Sequence, residues 1–125
     1  MTVEQIRKWV ADLSRIGEDT LPYTEIDGKV LTPRDILREV EANTPLGQKL
    51  RVLLGDPPLK LSYNLLVKRF EERVKQGKAL PIATIGGKIL TPEQQLEEVK
   101  KGTRIGQQLL LAEAALIEEL EKRRR

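Results

Sequence analysis

The chain has 125 residues, with 22 lysines and arginines against 19 acids for a formal net charge of +3, and 39% of it is hydrophobic. It contains no cysteine and no histidine, which removes disulfides, thiolate zinc sites, iron–sulfur clusters, cysteine nucleophiles, serine–histidine triads and two-histidine metal motifs. Nothing approaches about 18 consecutive apolar residues and the N-terminal segment lacks the unbroken apolar run of a secretion signal, so membrane insertion is not expected and a cytoplasmic location is.

Aromatics make up 3%, so an aliphatic core of Leu, Ile, Val and Ala is expected. The basic excess is local. The last four residues are Lys122, Arg123, Arg124 and Arg125, and without them 18 cations face 19 acids for a net of −1. A dedicated duplex-DNA binder usually spreads its cations over a face instead.

Val3, Ile6, Trp9, Val10, Leu13 and Ile16 recur at three- and four-residue steps, which predicts a helix over Val3–Ile16 with one apolar face. Thr2 and Gln5 form a capping box at its start, and Gly17 suits the left-handed position that ends it. A hairpin follows, with Asp27-Gly28 between Ile26 and Lys29 as a two-residue turn of positive φ. Thr24, Ile26 and Leu31 fall on one face of it and Val30 on the other. Thr32 then caps a second helix with Pro33 at its first position and Ile36, Leu37 and Val40 on its buried face. Asn43 marks a left-handed stop and Thr44 caps a third helix. Gly47 lies in its first turn, which predicts a backbone passing close by, the hairpin's being the expected one. A phosphate at that helix end is the alternative.

The same signals then recur. Leu21–Leu50 and Leu80–Leu109 align without gaps at an offset of 59, with 15 of 30 positions identical. That is the mark of a tandem duplication. In the second unit Ser62 caps a helix carrying Leu65, Leu66, Phe70 and Val74 and ended by Gly77. Gly86-Gly87 form the hairpin turn, Thr91 and Pro92 open the next helix, and Gly102 stops it. Gln95 replaces the isoleucine of unit one, so that helix is expected to be less buried. Gly55-Asp56-Pro57-Pro58 reads as a turn and linker closing unit one.

The final helix runs to the C-terminus in unit two. Ile105, Leu109, Ala112, Leu116 and Leu120 are its expected core stripe. Leu110, Ala114 and Ile117 form a second stripe, with Leu111 and Ala115 filling much of the remaining girth. A helix apolar over so much of its girth is buried on more than one side. The surplus face is expected to dock on unit one or on another subunit.

The fold expected is α+β, mainly α: a helix–β-hairpin–helix–helix unit repeated about a pseudo-two-fold, with a long C-terminal helix. Unit one is 1–57, the linker 58–60 and unit two 61–125, around one shared core. The carboxylate pairs Glu71-Glu72, Glu97-Glu98 and Glu118-Glu119 read as solvated helix faces, because adjacent helical residues do not face each other. No cofactor, metal or catalytic residue is expected. The function expected is that of a non-catalytic structural or adaptor protein, self-assembling through Leu110, Leu111, Ala114 and Ile117. The alternative is nucleic-acid binding, with Lys29, Lys88, Lys122, Arg123, Arg124 and Arg125 on phosphates.

Overall fold

A computed structural model describes residues 1–54, 61–84 and 86–124. The order is α1 (Val3–Arg15), β1 (Thr24–Ile26), β2 (Lys29–Leu31), α2 (Pro33–Glu41), α3 (Pro45–Leu53), α4 (Tyr63–Lys75), β3 (Ile82–Ala83), β4 (Ile89–Leu90), α5 (Pro92–Lys101) and α6 (Arg104–Arg124). The fold is mainly helical α+β, and the order helix–hairpin–helix–helix occurs twice. The expected turn at 55–58 and linker at 58–60 lie outside the described residues.

The helix ends follow from local chemistry. The side chains of Thr2, Thr32, Thr44, Ser62 and Thr91 each accept a backbone N–H of the first turn. Thr2–Gln5, Thr32–Asp35 and Thr91–Gln94 close reciprocal capping boxes. After α1, Gly17 takes φ +73° and Glu18 N–H donates to Leu13 O at 3.0 Å, the six-to-one bond of a left-handed helix stop. Gly77 and Lys78 repeat it after α4, with Lys78 N–H on Arg73 O at 2.8 Å.

The two hairpins differ. In the first, Ile26 pairs with Lys29, and Asp27 and Gly28 take φ +52° and +77°, the two-residue turn expected. In the second, Ile82 pairs with Leu90 and Ala83 with Ile89, one residue out of register with unit one. Thr84 N–H donates to Lys88 O, Gly87 N–H donates to Thr84 O, and of the glycine pair only Gly87 has positive φ. A Gly-Gly pair fits several loop types, so it does not impose the primed two-residue turn. Ile85 lies outside the described residues.

Each strand pair is a separate two-stranded sheet, too small to stand alone, and helices cover it. The larger apolar cluster joins Ile6, Trp9, Val10 and Leu13 of α1, Tyr23, Ile26 and Leu31 of the first hairpin, Ile36 and Val40 of α2, and Leu50 of α3. Ile117 and Leu120 of α6 complete it. The smaller cluster holds Phe70, Val99 and Leu110, and Leu66 packs against both. The core is mainly aliphatic, and Trp9, Tyr23 and Phe70 lie inside it with the Leu, Ile and Val side chains. Trp9 and Tyr23 meet edge to face at 4.9 Å, and Trp9 Nε1–H donates to Leu120 O at 3.0 Å.

Two further expectations are corrected. Gly47 and Gly106 do meet a close backbone, but it belongs to the preceding helix. A Cβ there would lie 2.1 Å from Glu39 O and 2.2 Å from Glu98 O. The hairpin is not the neighbour. Gln95 itself is buried, its amide donating to Leu80 O and Leu90 O, while α5 buries Gln95 and Val99 where α2 buries Pro33, Ile36 and Val40, the less buried helix expected. The buried seam of α6 is Gly106, Leu110, Glu113, Ile117, Leu120, Glu121 and Arg124. It is rotated by about one residue, roughly 100°, from the Ile105–Leu120 stripe expected. Two glutamates and an arginine lie on that seam, which hid it from a reading by apolarity.

Candidate interaction site

Unit two is fastened to unit one by buried charge. Helix α4 carries Arg69 and Arg73 one turn apart, α6 carries Glu113, and the chain leaving α1 carries Glu18. Arg69 is 0% exposed and pairs with Glu18 and with Glu113 (3.0 Å), while its Nη1 donates to Pro22 O at 2.7 Å. Arg73 pairs with the same two acids, with Glu18 at 2.9 Å. Burial works to lower the Arg73 pKa, but the hydrogen bonds and charges of Glu113 and Glu18 win, and it is held above its ordinary value. Counted from their caps, α1 and α4 correspond residue for residue, and Arg69 and Arg73 stand where α1 has Trp9 and Leu13. Lys78 Nζ adds bonds to Gly17 O (2.6 Å) and Thr20 Oγ1 (2.8 Å). A closed, mutually satisfied cluster of this kind positions elements and offers no access to a substrate.

The place where hairpin meets final helix differs between the units. In unit one Lys49 Nζ of α3 pairs with Asp27 Oδ2 at the hairpin tip, at 3.0 Å. Both partners are changed at the equivalent positions of unit two, to Gln108 and Gly86. There a groove of about 390 Å³ opens between hairpin and helix, with Ile82, Ala83 and Thr84 on one wall and Arg104, Ile105 and Gln108 on the other. Gly86 lines it at the tip. Arg104, which stands where unit one has Pro45, makes no ion pair among the described residues.

Exposure follows the same division. Leu21 is fully buried, whereas its equivalent Leu80 is 78% exposed. Val30 is half-buried and Ile89 is 65% exposed. Ile117 and Leu120 in the C-terminal half of α6 join the first hairpin in one apolar cluster, whereas the second hairpin has Leu90 buried beside Gln95 of α5 but leaves Ile89 exposed.

The residues expected to carry contacts are dispersed. Leu110 and Ile117 are interior, at 4% and 1% exposure, so they form no free face. Ile117 instead docks on unit one, the intramolecular choice of the two foreseen. Ala114 is half-buried and Leu111 is exposed. Lys29 and Lys88 are exposed on separate hairpins and Lys122 is exposed on α6. Arg123 pairs with Asp12 at 3.1 Å. Arg124 is drawn inside: its guanidinium lies 5.9 Å from the Trp9 ring centre and donates to Leu54 O. Arg124 therefore belongs to the core rather than to a free basic tail, and Arg125 lies outside the described residues. Tyr23 is buried with no hydrogen-bond partner for its hydroxyl among the described residues. Burial pushes its pKa up to about 12, which the charge of Arg124 only partly offsets.

Among the described residues no group of three acids could hold a metal ion, and no helix is long and apolar enough to cross a membrane. In comparisons with known proteins, no family model, curated protein or solved structure matches the chain. The groove and the buried charges were missed from sequence. The signal for the groove was present as paired differences between the repeats, Asp27 against Gly86 and Lys49 against Gln108.

Proposed function

We propose that this is a non-catalytic protein that acts through protein–protein contact, with unit two bearing the contact surface. The observation that carries this reading is the greater exposure of the second hairpin region at equivalent positions, Leu21 against Leu80 above all and Val30 against Ile89. Apolar side chains left on one end of a small chain, beside a rigidly held core, are what a contact surface requires. The charged groups that are buried are already paired with one another, which leaves them a structural role. A second copy of the chain is the first partner to test. Sedimentation velocity from micromolar to millimolar concentration should show reversible self-association that Leu80→Glu with Ile89→Glu abolishes. A folded monomer throughout that range, identical for wild type and variant, would overturn the self-assembling form. The nucleic-acid alternative predicts instead an affinity for DNA or RNA that falls steeply with salt. The inward turn of Arg124 and the Asp12 partner of Arg123 weigh against it.

A further inference from the structure

We infer that the groove between the second hairpin and the first turns of α6 receives a short extended segment of a partner protein that carries a carboxylate beside apolar side chains. This rests on the reading of unit two as a contact surface and names what it contacts. Three observations converge. The walls are apolar at Ile82, Ala83 and Ile105, which suits aliphatic side chains. The one charge among the described lining residues is Arg104, unpaired among those residues, with no acid beside it. Lys88, whose carbonyl accepts from Thr84 N–H on the same hairpin, is an exposed cation beyond the groove's lining. An arginine fork at the rim of an apolar groove complements a carboxylate.

The third observation is the sheet edge. Among the described residues β3 pairs with β4 alone, so its other edge carries no strand there. Thr84 is hydrogen-bonded to Lys88, and bonded and non-bonded pairs alternate along an antiparallel ladder. Ala83, paired with Ile89, therefore turns its own N–H and C=O toward that edge. An added strand would find a donor and an acceptor there, the mode in which extended peptides extend a sheet.

The test uses the full-length chain and fluorescein-labelled hexapeptides in which leucine alternates with glutamate, glutamine or lysine, read by anisotropy. The glutamate peptide is expected to bind at least tenfold tighter than the lysine peptide. Arg104→Glu should reverse that order. Gly86→Asp with Gln108→Lys, which puts an acid and a base across the groove as Asp27 and Lys49 stand in unit one, should weaken binding at least tenfold. No atom lies within 4 Å of a Cβ at Gly86, so the fold tolerates the change, and circular dichroism confirms it. Equal affinity for the glutamate and glutamine peptides, still blocked by the double variant, would overturn the carboxylate and leave the contact surface standing. Undiminished binding to the double variant, or no binding of any peptide to wild type, would overturn the inference outright. The sedimentation experiment then judges the parent reading separately.

Discussion

Gly47→Ala and Gly106→Ala set helix propensity against packing. On propensity alone, replacing a helical glycine with alanine stabilises by up to about 1 kcal/mol, less near a helix end. The structure reverses the sign. The new Cβ would sit 2.1 Å from Glu39 O in one case and 2.2 Å from Glu98 O in the other, with the Val99 Cα a further contact at 2.8 Å. Ordinary contact begins at 3.4 Å, so the two helices must part by more than an ångström. That separation also strains the bonds that join them, Thr44 N–H to Glu39 O at 3.2 Å and Thr103 N–H to Glu98 O at 3.3 Å. Overpacking costs about 1–3 kcal/mol and each lost hydrogen bond about 1 kcal/mol. After the propensity gain is subtracted, the net expectation is a loss of about 1–4 kcal/mol at either site, out of a total that for a domain is about 5–15 kcal/mol. Urea unfolding followed by circular dichroism reads it as a lower midpoint at unchanged slope. Gly86→Ala, with open space around its Cβ, is the control and should be neutral or slightly stabilising. A higher midpoint for Gly106→Ala than for wild type would refute the close-approach reasoning.

Arg69→Met leaves Glu18 and Glu113 to share Arg73 in a buried setting and should cost about 3–5 kcal/mol, measured by the same urea titration. Tyr23 gives a pH signature. Its folded pKa of about 12 exceeds the value of about 10 in an unfolded chain, so its contribution is complete below pH 10 and lost as pH rises from about 10 toward 12. Thermal unfolding across that window should show a falling midpoint that flattens in Tyr23→Phe. Arg124→Ala removes the contact with Trp9 and the bond to Leu54 O and should cost about 1–3 kcal/mol. Arg124→Met keeps the stem's packing on Trp9 but should recover only part of that loss, since it leaves the buried Glu121, 3.8 Å from Nη2, without this cation. Differential scanning calorimetry of both variants separates the stem's packing from the charge.

Legibility in the sequence follows the range of the interaction. The caps at Thr2, Thr32, Thr44, Ser62 and Thr91 and the left-handed stops at Gly17, Asn43, Gly77 and Gly102 depend on residues within one turn, and all were readable. The first hairpin was readable because Asp-Gly selects one turn, and the second was not because Gly-Gly selects none. What failed depends on partners far along the chain. Gly47 announced a close backbone but not whose. Nothing local marks Arg69, Gln95, Glu113 or Arg124 for burial, and only their partners in the fold show why they are buried. Glu113 lies 44 residues from Arg69, and Arg124 lies 70 from Leu54.

The asymmetry of the two units has a physical origin in the length of one helix. Helix α3 spans 9 residues and α6 spans 21. The additional turns of α6 leave unit two and spend Ile117, Leu120 and Arg124 on the first hairpin and on α1. A single chain with one long helix can cover one hairpin in this way, and the other must differ or stay open. The substitutions agree with that constraint. Where the covering helix crosses α1, Trp9 and Leu13 are apolar; at the equivalent places on α4, Arg69 and Arg73 are charged and face acids brought from unit one and from α6. Beside the second hairpin, Gly86 and Gln108 stand where unit one has the ion pair of Asp27 and Lys49, and Arg104 stands at the rim. An unused hairpin needs no such change of both partners. A hairpin that receives a carboxylate-bearing strand does, because Asp27 in that position would repel the ligand and Lys49 would be held away from it.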